Sequence, residues 1–270
     1  MGVITISRGS YSMGKAVAEK VAEHLGCDVV SRDLLLSASE RFRVPEIRLA
    51  RAIHDAPGIL SRLSHGKQSY LAFIQAALTE RVKKDNIVYH GLAGHLLLRQ
   101  IPGVLKVSIT ADLETRVANE VRREGISARE AREIILEDDN QRRKWTQSLH
   151  GLDPWDSSLY DLVIRVDRLS VDDAVDFICR AAMLEGFRTT DKMRRKMEDL
   201  ALACRIKADL VEEFPAVKVS CEYGNVIIFA KDKGHAVAAL HGRLNAIQQA
   251  IGGIYNMEVH SLSSAPIDAV

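Results

Sequence analysis

Several signals are missing from this 270-residue chain, and each absence excludes something. Its four cysteines, Cys27, Cys179, Cys204 and Cys221, are far apart and form no CxxC pair. A disulfide framework and a cysteine zinc site are thereby excluded, and the pattern fits a reducing compartment. No stretch approaches the roughly 20 apolar residues that a membrane helix needs. The opening MGVITISRGS has neither the charged start nor the apolar run of a signal peptide, so the expectation is a cytoplasmic protein. Charge of one sign is also lacking: 37 basic residues face 36 acidic ones. Overall charge therefore points to no nucleic-acid partner, and any electrostatic function must come from local clusters.

What remains is an ordinary globular balance, 47% hydrophobic and 27% charged, in a length that suits one large domain or two smaller ones. Val3 to Ile6 is a short β-branched run, followed by the turn RGSYSMG and then KAVAEKVAEHLG. In that segment Val17, Val21, Ala22 and Leu25 recur at helical spacing and Gly26 reads as a C-cap. Further strands are expected at 28–30, 86–90, 104–110 and 161–166. Helical patterns fall between them: 34–84 with breaks at Pro45 and Pro57-Gly58, then 112–124, 128–148 and 171–184. Near-continuous apolar strands alternating with helices predict a parallel five-stranded sheet with helices on both faces. Ligands bind at the strand ends of such sheets.

After Arg188 the pattern changes. An amphipathic helix over 190–213 precedes a predicted hairpin with Gly224-Asn225 as its turn, then a helix over 234–251 and a final strand, YNMEVHSL. This αββαβ order predicts a small α+β domain, with domains at 1–186 and 190–265.

Gly9, Ser10, Tyr11, Ser12, Met13, Gly14 and Lys15 fill the first seven positions of GxxxxGK[ST], immediately after a predicted strand and opening a predicted helix. Glycines let the backbone curl so that successive N–H groups converge on a phosphate. The helix dipole favours the anion, and the lysine reaches the outer phosphates. The eighth position is Ala16, so the hydroxyl that normally ligates Mg²⁺ is missing; Ser12 or Ser10 is the candidate substitute, or the metal is held through water.

With this loop in place, residues 3 to 182 resemble the cytidylate-kinase-like family of P-loop nucleoside-monophosphate kinases. The resemblance rests on ITISRGSYSMGKAVAEKVAEHLG, SRDLL, HGLAGHLLLRQIPGVLKVSITADLETRV and DPWDSSLYDLVIRVDRLSVDDAV, in that order. It implies transfer of the γ-phosphoryl group of ATP to CMP or a related monophosphate, with Mg²⁺. Lys15 would bridge the donor phosphates, and Asp33 resembles the family's acidic residue at the monophosphate site. Arg41 and Arg43, with Arg48 and Arg51, would receive the acceptor phosphate. Arg116, Arg122, Arg123 and Arg143 flank a helical hairpin where these kinases carry a lid. Asp139 and Arg142 match the second half of the lid pattern RDxxDxxR.

The chain departs from the family where Ile135 and Leu136 replace the first half of that pattern, and where Gly91-Leu92 stands for Gly-Arg. These departures, with Ala16, define an alternative: a nucleotide-binding regulator that no longer transfers phosphate. His90 and His95 lie near a substrate's expected position, as phosphate or base contacts or as satisfied strand-end residues. Trp145 and Trp155 are expected to pack in the core or lid.

The C-terminal run VKVSCEYGNVIIFAKDKGHAVAALHGRLNAIQQAIGGIYNMEV resembles the BON module. That resemblance implies a phospholipid surface or a small ligand as partner. A dimerisation or structural appendage is the other reading. Lys192, Arg194, Arg195 and Lys196 read as a solvated helix face.

Overall fold

A computed structural model describes residues 2–9, 12–31, 33–46, 48–49, 67–91, 93–231 and 234–270. Its compact parts are two, and they are interleaved in sequence. The first takes residues 2–33 and Lys84–Thr189, and the second takes residues 34–49 and 67–83 together with Thr190–Val270.

The first unit is built on five strands: β1 (Val3–Arg8), β2 (Asp28–Val30), β3 (Ile87–His90), β4 (Leu105–Thr110) and β5 (Leu162–Arg165). They pair in the order β2-β3-β1-β4-β5, all parallel. Between β1 and β2 runs α1 (Gly14–Leu25), whose Val17, Ala18, Val21 and Ala22 are buried. Gly26 caps it in the left-handed region at φ 64°, its N–H reaching back to the Ala22 and Glu23 carbonyls. The strands Ile4, Ile6, Val88, Val107 and Ile109 share one apolar core with α1 and with α7 (Val171–Ala182). The expected α/β architecture is thus present, its strand bounds within two residues of the sequence reading.

Two more helices, α5 (Leu113–Glu124) and α6 (Ala128–His150), are joined by a short connection and pack on each other as a hairpin. Asp112 and Ser127 cap them, each side chain accepting a backbone N–H three residues on. The hairpin has a small core of its own in Val117, Ala131 and Ile135. A short helix, α4 (Gly94–Leu97), follows β3. Gly91 and Gly94 let the chain fold tightly over Tyr89. A Cβ on either would lie 2.4 Å and 2.3 Å from its side chain respectively.

The second unit contains α2 (Asp33–Phe42, from Leu34 on), α3 (Lys67–Val82), α8 (Asp191–Leu210) and α9 (Gly234–Ala250). Strands β6 (Lys218–Glu222), β7 (Asn225–Ala230) and β8 (Asn256–Ser261) form a small mixed sheet, antiparallel between β6 and β7 and parallel between β7 and β8. Helix α3 packs along α8, with Tyr70, Phe73, Ile74 and Leu78 fully buried. Phe42 stacks on Phe73 at 4.4 Å between centroids.

The hairpin turn lies one residue earlier than expected. Glu222 pairs with Asn225, so Tyr223 and Gly224 make the turn, with φ of 53° and 74°. Positive φ at both positions is the type I′ arrangement, whereas Gly224-Asn225 would have placed the glycine first, as in type II′. Tyr223 tolerates that region because Asp199 on α8 accepts both the Tyr223 and Gly224 N–H groups at 3.0 Å. Among the described residues no helix is long and apolar enough to cross a membrane.

Candidate active site

β1 ends at Arg8 and α1 begins at Gly14, with Gly9, Ser12 and Met13 described between them. Ser10 and Tyr11, expected to bind nucleotide, lie outside the described residues, as do Arg51 and Leu92. Met13 holds the left-handed conformation at φ 61° without any side-chain cap on the helix. Val17 N–H donates back to the Met13 carbonyl at 3.1 Å. The preceding amides, at Gly14, Lys15 and Ala16, are therefore in the first helical turn, where the helix supplies no acceptor of its own. That turn is where a helix binds an anion. Lys15 is 73% exposed and its ammonium sits 3.6 Å from Glu19, a surface pair too weak to hold it there against a phosphate.

Gly9 is tied inward. Its N–H donates to the Ile109 carbonyl of β4, so it anchors the turn instead of facing the ligand. Ser12 is anchored in the same way: its buried hydroxyl points at the Gly9 and Ile109 carbonyls, 2.8 and 2.9 Å away. Ligating a metal would require that hydroxyl to leave both carbonyls. Among the described residues no group of three histidine, cysteine or acidic side chains is placed to hold a metal ion.

The hairpin contributes a bidentate ion pair. Arg116 on α5 grips Asp139 on α6 at 3.1 and 2.7 Å, both side chains largely buried. The same guanidinium lies against Gly9, where a Cβ would come within 3.3 Å of its Nη1. Asp139 is thus spent on positioning Arg116 beside the phosphate turn. Three residues along the helix, Arg142 lines a small cavity with Ser7, His95, Ser108, Trp155 and Tyr160. Trp155 also reaches Gly9, 3.7 Å from where its Cβ would be. Trp145, by contrast, is core. Of the other lid arginines, Arg122 is exposed, Arg123 pairs with Glu120 and Glu124, and Arg143 sits 3.3 Å from Asp153.

His95 is the centre of the cavity's floor. Its Nδ1 lies 2.9 Å from the Ser7 hydroxyl and its Nε2 3.3 Å from the Tyr160 hydroxyl, which donates to the Pro154 carbonyl at 2.9 Å. One proton arrangement satisfies all three contacts: Ser7 donates to Nδ1 and Nε2–H donates to Tyr160. Burial, reinforced by the nearby charges of His150 and Lys106, lowers the His95 pKa to about 3. Burial likewise raises Tyr160 to about 12, against the lowering influence of the neighbouring Ser7 and Ser108 hydroxyls. At neutral pH this floor is polar and uncharged.

Sequence reading passed over Ser7, Ser108 and Tyr160. The signal was present for two of them. Ser7 and Ser108 are buried polar residues inside apolar strands, directly paired across β1 and β4, and a buried hydroxyl in such a place needs a partner. His90 closes β3. Asp33 begins α2 and accepts the Ser31 N–H at 2.8 Å. Its charge, after the larger effect of burial, also raises the pKa of Tyr89. Arg41 and Arg43 belong to the second unit, where Arg41 lies against the Phe42 ring and Arg43 is an exposed residue at φ 53°.

A glycine turn between a central parallel strand and a helix, with arginines on a following hairpin, defines a P-loop phosphate-binding fold. Comparison with known proteins then narrows the class. The model of the cytidylate kinase-like family matches residues 3–168. A cytidylate kinase of Pyrobaculum aerophilum is 28% identical over 184 residues, covering 66% of this chain and 94% of that protein. One of Pyrococcus horikoshii is 30% identical over 185 residues, covering 67% and 88%. A crystal structure of an uncharacterized protein from Eubacterium ventriosum shares the fold, with a TM-score of 0.51 at 22% identity over 67% of this chain and 98% of that one. The chain belongs to the cytidylate kinase-like family.

Proposed function

We propose that the protein transfers the γ-phosphoryl group of ATP to CMP or a closely related nucleoside monophosphate. The observation that carries the proposal is the left-handed turn at Met13 feeding α1, with Lys15 free to swing from Glu19 onto phosphate. Phosphoryl transfer asks the protein for alignment and charge neutralisation more than for covalent chemistry. The first-turn amides and Lys15 hold the donor phosphates. Arg142 and the Asp139-positioned Arg116 bring positive charge to the transferring group.

Mg²⁺ bound with ATP would neutralise charge on the phosphate oxygens. With Ala16 in the usual hydroxyl position and the Ser12 hydroxyl turned to carbonyls, the fit is to a metal held by phosphate and water. Asp33, Arg41 and Arg43 are the proposed acceptor residues. Residues 1–186 carry this chemistry and residues 190–265 form a BON-like module that binds a small ligand or a surface.

The cavity at Ser7 and His95 measures about 20 Å³, room for roughly one water molecule. A nucleotide entering there needs the α6 side, with Arg142 and Thr146, to withdraw. Motion of such a hairpin is how kinases exclude water from the transferring group.

The test is ADP release measured over a panel of nucleoside monophosphates. Turnover is expected with CMP or one near relative. Lys15→Ala should lower kcat/KM at least about 100-fold, the scale of losing one preorganised charge at a developing anion. Asp33→Ala, Arg41→Ala and Arg43→Ala should mainly raise the acceptor KM. ATP binding without turnover on any acceptor would show a regulator instead.

A further inference from the structure

The second unit contains a cavity of about 430 Å³, far larger than the one beside the phosphate turn and unused by the chemistry above. It is bounded by the end of α3, the middle of α8, the β6–β7 turn and residues 251–255 before β8. Its volume falls within the range of small-molecule sites, about 300–1,000 Å³.

Two tyrosines border it and both are turned toward water: Tyr223 is 57% exposed and Tyr255 83%. Neither is loose. Tyr223 holds its left-handed conformation because Asp199 binds its N–H and that of Gly224. A tyrosine in that conformation is uncommon, and such backbone strain concentrates at functional sites. Tyr255 donates its N–H to the Gly224 carbonyl at 2.9 Å. Its ring lies so close to Gly224 that a Cβ there would be 2.5 Å from Cδ2. The backbone at both positions is thus held while the rings stay largely exposed.

Charge in the cavity divides unevenly once the local pairs are removed. Asp199 is committed to the turn amides and to the Cys221 thiol. Lys83 and Glu80 pair at 3.3 Å. That leaves two guanidiniums, Arg195 and Arg205, and one exposed carboxylate, Glu198, in the lining, with Asp209 acting on Arg205 from outside it. Arg195 is already stationed 5.1 Å over the Tyr223 ring. The Arg205 Nε–H is buried without a hydrogen-bond partner among the described residues. Exposed aromatic rings beside preplaced guanidiniums suit a planar ring carrying an anionic group.

We infer that this cavity is a second nucleotide site, independent of the P-loop, taking a nucleoside phosphate with its base against Tyr223 or Tyr255 and its phosphate on Arg195 and Arg205. No reaction is assigned to it. A nucleotide bound there would report nucleotide supply to the chain without competing for the phosphate turn.

Calorimetric titration of the full chain with ATP and with CTP, triphosphates that the monophosphate acceptor site is not expected to take, tests this. Two separable binding events are expected. Lys15→Ala should remove one, and the double variant Arg205→Ala with Tyr255→Ala should weaken the other at least about tenfold, leaving the first intact. Tyr255→Phe, which keeps the ring, should bind as the parent does. Loss of the second event in Lys15→Ala, or its indifference to the double variant, overturns the inference while leaving the P-loop proposal standing. Conversely, an event removed by the double variant while Lys15→Ala changes nothing supports this site and sinks the P-loop one. Unchanged thermal melting of the variants shows that binding, and not folding, was altered.

Discussion

The cavity beside the phosphate turn and the cavity in the second unit solve opposite problems. The first holds about 20 Å³, and its polar groups are bonded to one another, from Ser7 through His95 and Tyr160 to the Pro154 carbonyl. The second holds about 430 Å³ and is lined by two exposed tyrosine rings and two guanidiniums. A site that must exclude water around a transferring phosphate is expected to be closed and internally satisfied until a substrate opens it. A site that only recognises is better left preformed, because a ligand then meets groups already in position.

The strongest way to break the comparison is to delete residues 190–270. This removes most of the second cavity's walls and also uncovers α3, whose Tyr70, Phe73, Ile74 and Leu78 are buried in the unit that α8 completes. At about 1.5–3 kcal/mol for each such side chain, roughly 6–12 kcal/mol is at stake, comparable to the whole stability of a typical domain. The shortened chain should aggregate or lose its cooperative melt, measured by size-exclusion chromatography and circular dichroism. A monomer with an unchanged melt would show that the first 189 residues form their own complete core.

A smaller effect sharpens the first cavity. Folding lowers the His95 pKa to about 3, against roughly 6.5 in an unfolded chain. Between those values the unfolded chain takes up a proton that the folded chain refuses, so acid favours unfolding. The stability His95 contributes is fully present above pH 6.5 and is lost as pH falls toward 3, by about 3 kcal/mol between pH 6 and pH 4. Denaturant melts of His95→Asn should show a shallower acid decline than the parent. Parallel declines would mean that His95 is not held neutral by its surroundings.

The smallest effect concerns the hairpin beside that cavity. Ile135 is fully buried in the α5–α6 core, whereas Leu136 is 50% exposed. Leu136→Asp, which restores one position of the family's lid pattern, should change stability by less than about 0.5 kcal/mol. Ile135→Arg should cost several times more, because it places a charge among Val117 and Ala131. Equal melts for the two variants would dissolve the distinction.

Much of the first unit could be read directly because its information is local. Continuous apolar runs such as NIVYH and VLKVSIT mark buried parallel strands, and Gly26 marks the end of α1. The lid departure at Ile135 looked like a missing charge and is a packing choice made by α5. The pairing of Arg116 with Asp139 joins residues 23 positions apart, beyond the reach of helix periodicity. The turn at Tyr223 escaped for another reason: its positive φ is supported by Asp199, on a different element. Nor does composition reveal that residues 34–49 and 67–83 share a compact unit with Thr190–Val270, since that depends on which helix covers which.

That interleaving sets a timetable for synthesis. A ribosome adds about 5–20 residues per second, so roughly 5–20 s separate completion of α3 from the first residues of α8, just over a hundred positions later. The strands of the five-stranded sheet are finished within that interval, while α3 waits with its aromatic face uncovered. The nascent chain is then most exposed to misassociation while residues 83–190 are being added, and slower translation of that stretch would lengthen the vulnerable period.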